Sequence, residues 1–251
     1  MRGNAEALSL RDSETMTVRE TIIKQTEWES RSTDYTTSRN RLPEKFYNLS
    51  NKKYLGKEIV DYILAAVGCF FLFLTYPLIA LGIKLSSRGP VIFKQKRTGM
   101  NGKTFTCYKF RTMHLIQKKK LDGKPTVTEK GDARIFWFGS LLRKLNLDEL
   151  PQLFNVIKGD MSLVGPRPYP LEECAYWNST FDDFFYRYSV KPGISGLAQS
   201  RGYRGGTLDL EHMRKRLDYD LIYVQKSCIG LDFKIIGHTL LQMIHLNTKG
   251  H

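Results

Sequence analysis

A chain of 251 residues, 41% hydrophobic and 25% charged, supports one good-sized core, or a core with a small appendage, but not two full enzyme domains. Its formal net charge of +14 and pI of about 9.6 call for partners of opposite sign, whether nucleic acid, anionic lipid or a phosphate-bearing substrate. Cys69, Cys107, Cys174 and Cys228 form no Cys-x-x-Cys pair or Cys/His cluster, which argues against a disulfide scaffold or zinc site and fits reduced cytoplasmic thiols.

Residues 1 to about 45 are rich in Thr, Ser, Arg and Glu and poor in apolar side chains, the profile of a mobile or weakly helical extension. No apolar core of signal-peptide type occurs there, so nothing in it is expected to direct export. Residues 1–50 carry eight basic and eight acidic side chains, which puts the whole positive excess downstream. Tyr62 to Ile83 is a run of 22 residues without a charge. As a helix it would be about 33 Å long against about 30 Å of hydrocarbon. Pro77 interrupts the run, and basic residues flank both ends, Lys52, Lys53 and Lys57 before it and Lys84, Arg88, Lys94, Lys96 and Arg97 after it. Proline kinks a helix and the positive-inside bias assigns both flanks to the cytoplasm. A helix that dips into the membrane and returns satisfies both signals better than a plain span or a buried core helix.

Two β-prone runs in VIFKQKRTGMNGKTFTCYKFRTM, separated by Gly99 and Asn101-Gly102, predict a β-hairpin. Alternation places Phe105, Cys107, Lys109 and Arg111 on one face, so two cations are expected to project together, either to guide a phosphate or as solvated strand charges. A loop is expected from Lys118 to Asp132, and helical spacing resumes over Ile135 to Leu145. Beyond Pro168 come an aromatic-rich stretch, Tyr176 to Tyr188, and a Pro/Gly turn in KPGISGLAQ. Leu210, Met213, Leu217, Leu221 and Val224 then mark an amphipathic helix, and a last helix is expected through Ile235 to Ile244. The aromatic and C-terminal segments suit a membrane interface or an ordinary core equally well.

The chemistry is concentrated in RKLNLDELPQLFNVIKGDMSLVGPRP, Arg143 to Pro168. Asn146 followed by Glu149 fits an N-cap with a capping-box acid, with Pro151 tolerated near the helix start and Gly159 closing it. Asp148 and Glu149 then fall in the first turn, where free N–H groups favour the carboxylate form needed to attack phosphorus or hold a metal; simple helix capping explains the two acids as readily. Arg167, stiffly held between two prolines, suits phosphate oxygens, and an exposed ion pair is its plain alternative. Acids beside cations point to metal-assisted phosphoryl transfer.

Together YKFRTM (Tyr108 to Met113), LDELPQLFNVIKGDMSLVGPRP (Leu147 to Pro168) and KPGISGLAQ (Lys191 to Gln199) resemble the bacterial sugar transferases, the monotopic polyprenyl-phosphate phosphoglycosyl transferases. The similarity runs from about Lys52 to Leu246. It implies an α+β, mainly helical protein: a membrane re-entrant helix over 46–90 hinged at Pro77, and a compact catalytic domain over 91–251 on the cytoplasmic face of the bacterial inner membrane, with a small β-hairpin and interfacial amphipathic helices. It further implies transfer of sugar-1-phosphate from a UDP-sugar to undecaprenyl phosphate, the first membrane step of surface polysaccharide or glycoconjugate synthesis. Asp148 would attack the phosphate bearing the sugar, release UMP and carry a phosphosugar, with Glu149 assisting through Mg²⁺ or proton handling and both acids as metal ligands. Arg143 and Arg167 match phosphate-binding arginines, and Asp232 matches a C-terminal acid near the site, although a cap after Gly230 explains it equally. Tyr76, where the family usually has a small residue before the proline, and the extension 1–45 depart from the pattern. The sugar and the oligomeric state, homo-oligomer or monomer, stay open. Rival classes are a non-catalytic basic membrane scaffold and a nucleic-acid binder, the latter without any recognisable motif.

Overall fold

The computed structural model describes residues 55–115, 128 and 131–244; the expected extension and most of the expected 118–132 loop lie outside them. The described residues fall within one unit, Glu44–His251.

The apolar run forms helix α1, Leu55–Ser86, about 48 Å long at ~1.5 Å per residue. Pro77 lies inside it without ending it. Ala65, Leu72, Ile79 and Ile83 are buried, whereas Phe70, Phe71, Phe73, Leu74, Leu78, Leu81 and Leu85 are exposed. The buried positions recur at helical spacing and make one seam; the rest of this helix, long and apolar enough to cross a membrane, shows hydrocarbon to its surroundings. Both ends of α1 rest on the same body. Lys57 near its start donates to Asp232 and to the carbonyl of Val164, and near its end Gly82 abuts the Phe138 ring while Ser87 accepts from Arg111.

Strands β1, Ile92–Thr98, and β2, Thr104–Phe110, pair antiparallel from Ile92↔Phe110 to Thr98↔Thr104. Asn101 and Gly102 between them both have positive φ, 57° and 73°, which is why Asn-Gly is found where the chain reverses. The other edge of β2 is closed by a side chain. Asn155, fully buried, accepts from Tyr108 N at 3.1 Å and donates to Thr106 O at 2.7 Å, so that its amide substitutes for a neighbouring strand.

Helix α2, Trp137–Lys144, lies against the backbone of Thr112, where a Cβ on Gly139 would meet Thr112 O at 2.2 Å. A 3-10 segment, Leu147–Gln152, leads into the short α3, Leu153–Ile157, and Gly159, at φ 79°, closes it as expected. The strands β3, Ser162–Val164, and β4, Gly193–Ser195, pair in parallel. This pairing gives the glycines of Val-Gly-Pro-Arg-Pro and Lys-Pro-Gly-Ile-Ser-Gly their reason: a Cβ on Gly193 would lie 2.0 Å from Gly165 N, and one on Gly165 2.4 Å from Lys191 O. The segment expected as a turn is therefore a strand packed backbone to backbone on the arginine loop.

The aromatic stretch divides into α4, Leu171–Thr180, and a 3-10 segment, Phe184–Ser189. A single turn, α5, Leu197–Ser200, precedes α6, Leu210–Lys226, whose Met213, Leu217 and Val224 are fully buried as their spacing predicts. The last helix, α7, Ile229–Ile244, starts six residues before the expected Ile235. The result is the mainly helical α+β arrangement with a small hairpin.

Candidate active site

Asp148 and Glu149 stand on the 3-10 segment. Asn146 does not cap it: its backbone is left-handed, φ 54°, its side chain makes no capping bond, and its N–H donates to Arg143 O. An asparagine tolerates that conformation, so it closes α2 instead of opening the next helix. Pro151, lacking an N–H, cannot make the bond that a regular α-turn would require there. The two neighbouring acids consequently meet different surroundings.

Glu149 Oε1 accepts from Lys109 Nζ at 2.6 Å and from Arg167 Nη2 at 2.7 Å, and Oε2 faces Arg167 Nη1 at 3.3 Å. Burial opposes its ionisation, but Arg167 and Lys109 outweigh that and hold its pKa well below the usual range. Asp148, 9% exposed, has no hydrogen-bond donor among the described residues. Burial first, and the charge of Glu149 second, push its carboxyl up to about 6 against the pull of Lys109, Arg143 and Arg167. With its carboxyl raised no further than about 6 it is mostly ionised at neutral pH, and no described side chain donates to its oxygens.

Both acids line a cleft of about 1370 Å³. Lys109, Arg143 and Arg167 line it too. Arg143 is steered by its Nε, which donates to Thr112 Oγ1 at 2.8 Å, leaving its terminal nitrogens unbonded among the described residues. Arg167 is held through its backbone: its carbonyl accepts from Arg187 Nη2 at 2.7 Å, and Arg187 is itself locked to Asp220 at 2.6 Å in a buried ion pair.

The structure separates the two strand cations. Arg111, one residue past the end of β2 and 2% exposed, donates Nε to Pro90 O, Nη1 to Ser87 Oγ and Nη2 to Ser87 O. Its guanidinium is spent on tying β2 to the end of α1, although its side chain borders the cleft; Lys109 turns instead to Glu149. Asp232 lies outside the lining of the cleft. Its carboxylate accepts from Lys57 Nζ at 2.6 Å and Tyr223 OH at 2.7 Å, which also ties α7 to α1. Pro77 is within α1, away from the acids in sequence and outside the cleft lining.

Residues that the sequence does not single out also line the cleft. Arg204 is braced by bonds from Nε to Gln199 O and from Nη2 to Gln242 Oε1. Arg97 ties the Pro-Arg-Pro loop to β1 by donating Nη1 to Pro168 O, and Glu173 lies nearby. In the sequence Arg97 stands out only as one of the charges flanking the apolar run, and RGYRGG has no periodicity to mark Arg204.

Among the described residues no three His, Cys, Asp or Glu side chains gather as a metal cluster. The donor chemistry suits Mg²⁺ at Asp148, whose free carboxylate could share the ion with nucleotide phosphates, since Mg²⁺ is commonly held by one or two carboxylates plus substrate phosphates. Glu149 fits that role poorly because two cations occupy its oxygens.

The cleft is lined by more cations than acids and holds one clamped and one unclamped acid side by side, a composition suited to phosphate, and the same body packs against a long apolar helix. The chain belongs to the bacterial sugar transferase family, whose profile matches residues 52–246. It is 41% identical over 196 residues to the UDP-glucose:undecaprenyl-phosphate glucose-1-phosphate transferase of Xanthomonas campestris pv. campestris, covering 77% of this chain and 40% of the relative. The enzyme of that name from Caulobacter vibrioides is 40% identical, covering 76% of this chain and 70% of the relative. A UDP-N-acetylgalactosamine-undecaprenyl-phosphate N-acetylgalactosaminephosphotransferase of Aeromonas hydrophila is 40% identical over 71% of this chain and 41% of its own length. The matched part of this chain spans about two fifths of the Xanthomonas relative's length.

Proposed function

We propose that this protein is a phosphoglycosyl transferase that moves sugar-1-phosphate from a UDP-sugar to undecaprenyl phosphate. The observation that carries the proposal is Asp148, a buried carboxylate with no donor among the described residues, set beside a glutamate that holds two cations at the same cleft. An Asp148 oxygen attacks the phosphorus bearing the sugar, the bond to the UMP phosphate breaks, and UMP leaves with the bonding electrons. An oxygen of the lipid phosphate then attacks the same phosphorus and the aspartate leaves as carboxylate, giving a polyprenyl diphosphosugar. Lys109, Arg143 and Arg167 offset charge on the phosphate oxygens as the bonds exchange. Mg²⁺, if bound by Asp148 and the donor phosphates, would supply further positive charge to the pyrophosphate. Glu149 acts through the cations it positions.

The acceptor is a lipid, and α1 supplies the means of reaching it. With both its ends packed on one polar body, α1 suits insertion from one side, with the cleft on the cytoplasmic face of the inner membrane, better than a plain span. The names of the relatives above specify UDP-glucose and UDP-N-acetylgalactosamine as donors, which makes these two the first donors to try. The test incubates the protein in nanodiscs with undecaprenyl phosphate, Mg²⁺ and a panel of UDP-sugars and follows UMP. Release with at least one donor is expected from the wild type and none from Asp148→Asn. Full turnover by that variant would remove Asp148 from its role, and binding of nanodiscs without product from any donor would favour a scaffold.

A further inference from the structure

Two carboxylates at the cleft have no protein hydrogen-bond donor or ion-pair partner among the described residues. Asp148 is one. The other is Glu173, half-buried in the first turn of α4. By contrast Glu149 is clamped by Lys109 and Arg167, and Asp132, also at the cleft, accepts from Arg134. The cations that act on Glu173 are Arg97, Arg216, Arg167 and Arg187, and each is directed elsewhere: Arg97 to Pro168 and Gln95, Arg216 to Tyr169 and the carbonyls of Arg204 and Gly205, Arg167 to Glu149, Arg187 to Asp220. Burial accordingly pushes the Glu173 carboxyl up in spite of them.

The placement of Glu173 is fixed by the chain before it. Thr98 N donates to Tyr169 O, Pro170 bridges to Arg97, and Cys174 N donates to Pro170 O at 3.0 Å. The Tyr169 ring stacks on Phe184 with Arg187 over its face. Glu173 is therefore presented to the cleft on the rigid continuation of the loop that carries Arg167.

A carboxylate at this position repels the phosphates that the rest of the cleft attracts. Ionised, it only accepts hydrogen bonds, and a phosphate diester or dianion has no proton to give it. Hydroxyl groups do, and a carboxylate accepting from a ribose diol is a recurrent way of holding a nucleotide. We propose that Glu173 reads hydroxyl groups of the donor, accepting hydrogen bonds from the transferred sugar or from the ribose, and so contributes to donor selection. This rests on the nucleotide-sugar reading given above.

The test measures binding to the full chain in nanodiscs by calorimetry, comparing wild type with Glu173→Gln and Glu173→Asp. The probes are UMP, glucose 1-phosphate, N-acetylgalactosamine 1-phosphate and inorganic pyrophosphate. Glu173→Gln should weaken the probes that carry the hydroxyls being read by about 10–100-fold, while pyrophosphate binds as well or better because a negative charge is gone. Loss confined to the sugar phosphates assigns the sugar; loss confined to UMP assigns the ribose. Glu173→Asp should recover part of the affinity. The proposal is overturned if every probe binds Glu173→Gln as tightly as wild type, if pyrophosphate weakens as much as the others, or if wild type binds no hydroxyl-bearing probe. None of these probes is a complete donor, so the outcome does not depend on whether UMP is released in the turnover assay.

Discussion

Asp148→Asn should make the protein more stable at neutral pH while removing its activity. The aspartate has a carboxyl pKa of about 6 in the folded protein against an ordinary 3.8. Below pH 3.8 the group is protonated folded or unfolded and costs nothing. Between there and about 6 the folded state binds the extra proton, so stability falls as pH rises, and above 6 the ionised group burdens the fold by about 3 kcal/mol at ~1.36 kcal/mol per pH unit. The asparagine escapes that burden but leaves a buried amide to satisfy, at about 1 kcal/mol. The net gain is about 2 kcal/mol, or roughly 4–8 °C in apparent melting temperature. The assay is thermal unfolding of both proteins in nanodiscs, free of divalent metal, from pH 4 to 8. Near pH 4 the variant should be slightly less stable than wild type, by less than the ~1 kcal/mol that the amide costs, and the gain should appear between 4 and 6 and level off above. Equal stability at pH 7.5, or a more stable wild type, would mean that Asp148 is already satisfied by protein groups, and the argument for its reactivity would fail.

Arg167→Lys keeps the charge but breaks the two-pronged contact with Glu149, and should lower kcat/KM for the UDP-sugar by about 10–100-fold; an unchanged value would show that the fork is not used. Gly193→Ala would place a methyl 2.0 Å from Gly165 N, force β3 and β4 apart and cost about 3 kcal/mol, read as lost folded yield or a lowered denaturation midpoint. Asn155→Leu strips Tyr108 N and Thr106 O of their partner and should cost about 2–4 kcal/mol, and Asn155→Asp, which turns a buried oxygen toward Thr106 O and Asp160, should cost at least as much at neutral pH; chemical denaturation ranks the three.

Features that depend on near neighbours along the chain are legible in the sequence. Asn101-Gly102 makes the hairpin, Gly159 closes α3, and the spacing of Met213, Leu217 and Val224 identifies the inner face of α6. Roles set by distant partners are not. Asn146 is equally at home as a cap and in a left-handed turn, and only the way α2 ends decides between them. Alternation puts Lys109 and Arg111 on one face, but the strand stops between them, and Ser87 claims the arginine. Lys57 and Asp232 are 175 residues apart, and the buried pair Arg187 and Asp220 gives no periodic sign at all. The acid pair stands out because its surroundings are written locally; the different fates of its two members do not, since Lys109 and Arg167 reach Glu149 from 40 and 18 residues away.

The apolar helix is part of the catalytic body rather than a tether. Ala65 of α1 shares a buried cluster with Phe105 and Cys107 of β2 and Leu153 and Val156 of α3, with Cys69 packed against it. Those partners belong to the strand that carries Lys109 and the helix that follows Asp148 and Glu149. Further along, Leu72, Ile79 and Ile83 join Phe110, Phe136 and Leu142, bringing in the end of β2 and α2, whose last turn carries Arg143. Each leucine, isoleucine, valine and phenylalanine among them contributes about 1.5–3 kcal/mol by leaving water, so removing α1 would expose the inner surfaces of β2, α2 and α3, which carry or adjoin Lys109, Arg143, Asp148 and Glu149. If α1 lies in a bilayer, its depth there fixes the depth of Asp148, because the two are held in one packed core and close packing leaves little room for either to move alone.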